Sequence, residues 1–131
     1  MEEKSEEKMV GRVAMLGCGL VNLDLSRANL FSFYGLSELK VLTHLDVSNN
    51  RLKTLVGCPP SVTHLRVSNN PLQTLHGAPS KLESLGCSYT HLIDFDGIQS
   101  AQDSLKTLVC AFSLIRSFNG LTNFLAPKVR P

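Results

Sequence analysis

Apolar residues recur along this chain in one register, five times over. Each unit sets aliphatic anchors three and then two residues apart: Leu20, Leu23 and Leu25; Leu42, Leu45 and Val47; Val62, Leu65 and Val67; Leu82, Leu85 and Cys87; Leu105, Leu108 and Cys110. A further apolar residue follows in every unit at Leu30, Leu52, Leu72, Leu92 and Ile115, and another at Phe33, Leu55, Leu75, Phe95 and Phe118. Each unit then reaches a glycine, at Gly35, Gly57, Gly77, Gly97 and Gly120. Anchors two residues apart point to one face of an extended strand, so each unit predicts a short strand with a buried face. One unit cannot bury its own anchors, whereas stacked units share a continuous core. Roughly five apolar side chains per unit, at about 1.5–3 kcal/mol each when buried, have to offset the ordering of about twenty residues. The stack is therefore expected to be cooperative.

The asparagine that turns the chain after the strand stands at Asn50 and Asn70, with Thr90 and Ser113 as partial replacements and Ala28 unable to replace it. Asn29, one residue later, is a candidate substitute after a local shift. An asparagine there can bond backbone groups of neighbouring units. Pro59, Pro60 and Pro79 hold the connections extended and deny them a long helix. The longer connection Ile98–Ser104 has room for one helical turn, and Ser5–Met15 for a helix whose Met9, Val10, Val13 and Met15 cap the first strand.

This pattern resembles the leucine-rich repeat, L-x-x-L-x-L-x-x-N-x-L. The first and last units, with Gly35-Leu36-Ser37-Glu38-Leu39 and Gly120-Leu121-Thr122-Asn123-Phe124, are similar to the SDS-type repeats of protein phosphatase 1 regulatory proteins and related ciliary, spindle-pole and spliceosomal adaptors. The middle units, such as Pro59-Pro60-Ser61-Val62-Thr63-His64-Leu65, resemble the short repeats of secreted bacterial effectors. The resemblance implies an α/β fold: a short right-handed solenoid with a curved parallel sheet on its concave side and mostly extended or 3-10 convex connections. Residues 1–12 are expected to be a polar tail or partial cap, residues 13–125 the repeat domain of about five units, and residues 126–131 a C-terminal tail.

The residues alternating with the anchors should face outward in columns. One column reads Asp24, Asp46, Arg66, Gly86, Val109, and its neighbour reads Asn22, His44, His64, Ser84, Thr107. Beyond them lie Ser26, Ser48, Ser68, Ser88, Ala111 and then Arg27, Asn49, Asn69, Tyr89, Phe112. The face thus passes from polar and charged to apolar around Tyr89, Val109 and Phe112. An aromatic anchor among small residues, rimmed by His64, Arg66 and Lys106, has the composition of a protein-binding hot spot. The competing reading folds Phe112 into a C-terminal cap and lays Tyr89 over a loop. The candidate contact residues are Asp46, His64, Arg66, Tyr89, Lys106 and Phe112.

Other chemistry is weakly supported. His44, His64 and Asp46 lack a well-placed third metal ligand, and no metal or cofactor is expected. The serine column lacks the strained turn and oxyanion hole of a hydrolase, so no catalysis is expected. Cys87 and Cys110 read as buried anchors in place of leucine, and a disulfide between them is disfavoured by strand geometry and by a reducing compartment. The cysteines show no C-x-x-C pairing. Net charge is +2, with four glutamates and two lysines in Met1–Lys8. No stretch is dense enough in Lys and Arg for nucleic acid, and no apolar run reaches the roughly 18 residues of a membrane span.

The function expected is protein–protein binding on the concave face, as a regulatory or scaffolding adaptor. By resemblance, its partner would be a phosphatase or a cytoskeletal complex. The alternative is the substrate-targeting module of an effector-type enzyme whose catalytic part lies elsewhere. The C-terminal strand edge offers a route to self-association. Localisation is expected to be cytoplasmic, with nuclear or cytoskeleton-associated placement as alternatives.

Overall fold

The structure is a computed structural model and describes residues 19–121. Five three-residue strands, β1 (Asn22–Asp24), β2 (His44–Asp46), β3 (His64–Arg66), β4 (Ser84–Gly86) and β5 (Thr107–Val109), form one parallel sheet in sequence order. The chain therefore winds as a parallel-strand solenoid of about four turns, with β1 and β5 at the edges. Register follows the repeat without slippage: Leu23, Leu45, Leu65, Leu85 and Leu108 lie side by side. The helical content expected of an α/β fold is reduced to two 3-10 turns among the described residues, Leu36–Glu38 and Ile98–Ala101. The second falls on the connection expected to hold a helical turn. No described helix is long and apolar enough to cross a membrane. The tail 1–12, the helix expected over Ser5–Met15 and the tail 126–131 lie outside the described residues.

The core is the stack of anchors. Leu45, Val47, Leu52, Leu55, Leu65, Val67, Leu72, Leu75, Leu85, Cys87 and Leu92 are all buried. Burial thins toward the last unit, where Leu108, Cys110 and Ile115 are only partly covered. Phe118 departs from its column: expected beneath the strand like Phe33 and Phe95, it is 66% exposed and lies against Phe95 at 6.5 Å between ring centres.

Each unit closes with the same turn. The amides of Leu36, Cys58, Ala78, Ile98 and Leu121 donate to the carbonyls of Phe33, Leu55, Leu75, Phe95 and Phe118, at 2.9–3.1 Å. The third residue of each turn is the repeat glycine, with φ between 82° and 104°. This is the type II geometry that only glycine adopts without strain. At Gly77 and Gly97 a Cβ would also lie 2.3 Å from a backbone nitrogen of the preceding turn, so glycine is needed twice over.

The asparagines carry the other corner. Asn50 Oδ1 accepts from the amides of Ala28 (3.0 Å) and Leu30 (2.9 Å), and its Nδ2 donates to the carbonyls of Leu25 (3.0 Å) and Val47 (2.8 Å). Asn70 repeats this one turn later, accepting from Leu52 N–H at 2.9 Å. Thr90 keeps a single bond, its hydroxyl donating to Cys87 O at 3.0 Å.

Candidate functional site

The outward columns form the floor of an open groove of about 1000 Å³ across all five strands. Asp24, Asp46, Arg66, Gly86 and Val109 are neighbours in register, as are Asn22, His44, His64, Ser84 and Thr107. Charge changes along this floor, from two carboxylates to one guanidinium and then to glycine and a half-exposed valine.

Each floor residue is held by the backbone around it. Asp24 Oδ1 accepts from Ser26 N–H at 2.8 Å, and Asp46 Oδ1 from Ser48 N–H at 3.0 Å. The Ser26 side-chain and backbone bonds hold the Asp24 carboxyl below its ordinary value. Both carboxylates keep lone pairs free to accept further bonds on the groove side. Arg66 stands beside Asp46 in register, yet no ion pair joins them among the described residues. Later in the stack the serines take over the strand ladder. Ser68 Oγ accepts from Ser88 N–H at 3.0 Å, and Ser88 Oγ from Ala111 N–H at 3.1 Å.

His44 and His64 stack face to face, 4.2 Å between ring centres and 8° from parallel. Each ring Nδ1 contacts the preceding threonine hydroxyl, at 2.9 Å to Thr43 and 2.8 Å to Thr63. Those hydroxyls also lie 3.3 Å from the carbonyls of Val21 and Thr43. A hydroxyl hydrogen given to the carbonyl leaves the ring hydrogen on Nδ1 and a bare Nε2 acceptor. Near-parallel rings fixed alike at Nδ1 direct their Nε2 atoms side by side, not toward a common point. Among the described residues no group of three His, Cys, Asp or Glu is arranged to hold a metal ion.

Past the last strand residue the alternation of faces ends, and a left-handed column begins. Arg27, Asn49, Asn69, Tyr89 and Phe112 all have φ between 53° and 59°. Four of the five are tied into the ladder. The amides of Arg27, Asn49, Asn69 and Tyr89 each reach a carbonyl of the next turn, at Ser48, Ser68, Ser88 and Ala111, over 2.9–3.1 Å. Asparagine tolerates that backbone, whereas arginine, tyrosine and phenylalanine take it at a cost. Tyr89 and Phe112 stack in this column, 4.7 Å between centres and 12° from parallel. They are 54% and 75% exposed.

The six candidate contact residues are thus spread over three places. Asp46, His64 and Arg66 line the groove floor. Tyr89 and Phe112 stand at its rim beyond the C-terminal ends of β4 and β5. Lys106 precedes β5 at the opposite end of the strands, 3.5 Å from Glu83, away from the aromatic pair. The sequence signals the left-handed column only at Asn49 and Asn69, the residue type that tolerates positive φ.

No protein-family model matches the chain, and no curated protein does.

Proposed function

We propose that this chain is a non-catalytic leucine-rich-repeat binding module that grips a protein partner across the open, concave face of its sheet. The observation that carries the reading is the Tyr89–Phe112 stack. Two large aromatic rings are held in solvent on backbone that disfavours them. Left-handed aromatic residues persist where something other than local stability retains them. Together with Val109, 53% exposed, they make an apolar anchor beside a polar floor, the anatomy of a binding hot spot with a polar surround. The repeat pattern adds the leucine-rich character and, with its SDS-type end units, an adaptor role for a phosphatase or cytoskeletal complex.

The test is in-lysate crosslinking with the full chain and two variants. Tyr89→Asn/Phe112→Asn removes the aromatic pair, and Val56→Ser alters an exposed apolar residue outside the groove. A partner that crosslinks to groove residues and is lost only with the aromatic double variant supports the reading. A crosslink pattern unchanged by the double variant overturns it. Crosslinks solely between copies of the chain assign the face to self-association.

A further inference from the structure

Beneath the aromatic pair, each ring stands two residues after a cysteine. Cys87 and Cys110 immediately follow the register partners Gly86 and Val109 and sit on the inner side of the sheet. Parallel neighbours in register lie about 4.8 Å apart, within the roughly 4.4–6.8 Å Cα separation that a disulfide spans. Both thiols are free, and the Cys110 thiol lies 3.9 Å from Cys87 O, to which it can donate. The strand spacing therefore places the two Cα atoms within disulfide range, and closure asks the Cβ atoms to draw together to roughly 3.5–4.5 Å.

We propose that Cys87 and Cys110 form an oxidation site, in which a hydroperoxide converts the dithiol to a disulfide that fastens edge strand β5 to β4. The two sulfurs are unequal, and this sets their roles. Cys87 is fully buried; Cys110 is half-buried at the thinly covered end of the stack. Cys110 Sγ lies 3.3 Å from the Ser113 hydroxyl, a contact in which either atom can donate. Interaction with the Cys87 thiol first, and with Ser113 second, brings the Cys110 thiol down to about 6, against the effect of burial. Its partner moves up, because its proton is held in the bond to Cys110 and its thiolate would be buried. Cys110 is the attacking thiolate and Cys87 the resolving thiol.

The steps balance. Cys110 thiolate attacks one peroxide oxygen, the O–O bond breaks, and the leaving oxygen departs as hydroxide or alkoxide. Cys110 is now a sulfenic acid, oxidised by two electrons while the peroxide is reduced. Cys87 loses its proton and attacks the Cys110 sulfur. The S–O bond breaks, water leaves, and the S–S bond forms. Cys58 takes no part, because it is buried and burial pushes its thiol up to about 12.

The experiment treats the reduced full chain with hydrogen peroxide, blocks remaining thiols under denaturing conditions and maps the peptides by mass. The expected result is a chain lighter by two hydrogens, a linked Cys87–Cys110 peptide, and reversal by dithiothreitol. Amides of β5 should exchange more slowly once the chain is oxidised. In Cys87→Ser, with no resolving thiol, dimedone should trap the Cys110 sulfenic acid about tenfold more than in the unsubstituted chain. The proposal is overturned if peroxide leaves Cys87 alkylatable while Cys110 goes to sulfenic or sulfinic acid. It is equally overturned if both thiols survive, or if the linked peptide contains Cys18 or Cys58.

Discussion

Asn50 and Asn70 share one acceptor: both side-chain amides donate to the carbonyl of Val47, at 2.8 and 3.0 Å. That shared oxygen links three successive turns, since Asn50 also holds Leu25 and Asn70 also holds Val67. Both asparagines are buried, so removing either leaves backbone groups unpaired away from water, at about 1–3 kcal/mol for each orphaned group. Asn50→Ala orphans two amides, those of Ala28 and Leu30, whereas Asn70→Ala orphans the single amide of Leu52. Asn70→Thr should lose less, because Thr90 keeps the bond to its own strand carbonyl. Urea midpoints are expected to fall in the order unsubstituted chain, Asn70→Thr, Asn70→Ala, Asn50→Ala. Equal midpoints for the alanine variants would refute this reading of the corner.

The repeat glycines should differ in their tolerance. Gly57 needs only its positive φ, since an added Cβ would meet Phe33 Cβ at 3.4 Å. Gly57→Ala is therefore expected to cost about 1 kcal/mol. At Gly77 the same carbon would lie 2.3–2.5 Å from backbone atoms of Leu55 and Val56, and backbone cannot swing aside as a side chain does. Gly77→Ala should cost about 3 kcal/mol or more, because two turns must separate. Thermal unfolding of the pair measures the gap. A smaller loss for Gly77→Ala would mean the turns are not in contact there.

Much of this architecture is legible in the sequence, because strand periodicity and turn chemistry are local. Leu65 and Val67 declare a strand and its face. Gly77 declares a left-handed turn, and Pro59 and Pro60 deny a helix. Local rules stop where an interaction with the next turn decides the backbone. Tyr89 and Phe112 carry no left-handed signal in their residue type; at Tyr89 the amide is tied to Ala111 of the next turn. Phe118 obeys the repeat in sequence yet is left exposed, since position in a repeat yields burial only where a neighbour covers it. The columns containing His44 and His64 were readable, but their ring stacking depends on Thr43 and Thr63 fixing Nδ1. Composition groups Lys106 with the aromatic pair, yet composition cannot tell the two ends of a strand apart.

Cysteine reactivity should report the unequal environments directly. A thiol reacts as its thiolate, so alkylation rises with pH until the thiolate fraction saturates. With Cys110 lowered to about 6, its iodoacetamide rate should climb between about pH 5 and 7 and then level off. Cys58, pushed up to about 12 and buried, should stay unmodified in the folded chain over that range. Removing a donor raises the Cys110 midpoint, so Ser113→Ala and Cys87→Ala should both move the curve to higher pH. Cys87→Ala should move it further, since Cys87 is the larger cause. Rates followed by peptide mass would sink the assignment if the midpoint stayed near the ordinary thiol value of about 8.5.

Retention of the aromatic pair can be tested by asking whether stability and binding move apart. The two positions before them in the column are Asn49 and Asn69, at nearly the same φ. Asparagine bears that backbone more easily than tyrosine or phenylalanine, for which the left-handed region costs about 1–2 kcal/mol per residue. Tyr89→Asn/Phe112→Asn gives up the ring stack, about 0.5–1.5 kcal/mol in favourable cases and less for rings this exposed. Relief at two backbones exceeds the loss of one exposed stack, so the double variant should melt no lower than the unsubstituted chain. Its capture of the groove partner should nevertheless fall by about tenfold or more, as when a hot-spot anchor is removed. A lower melting temperature with binding intact would place the rings among the structural residues of the last turn and return the groove floor around Asp46, His64 and Arg66 to the centre of any binding role.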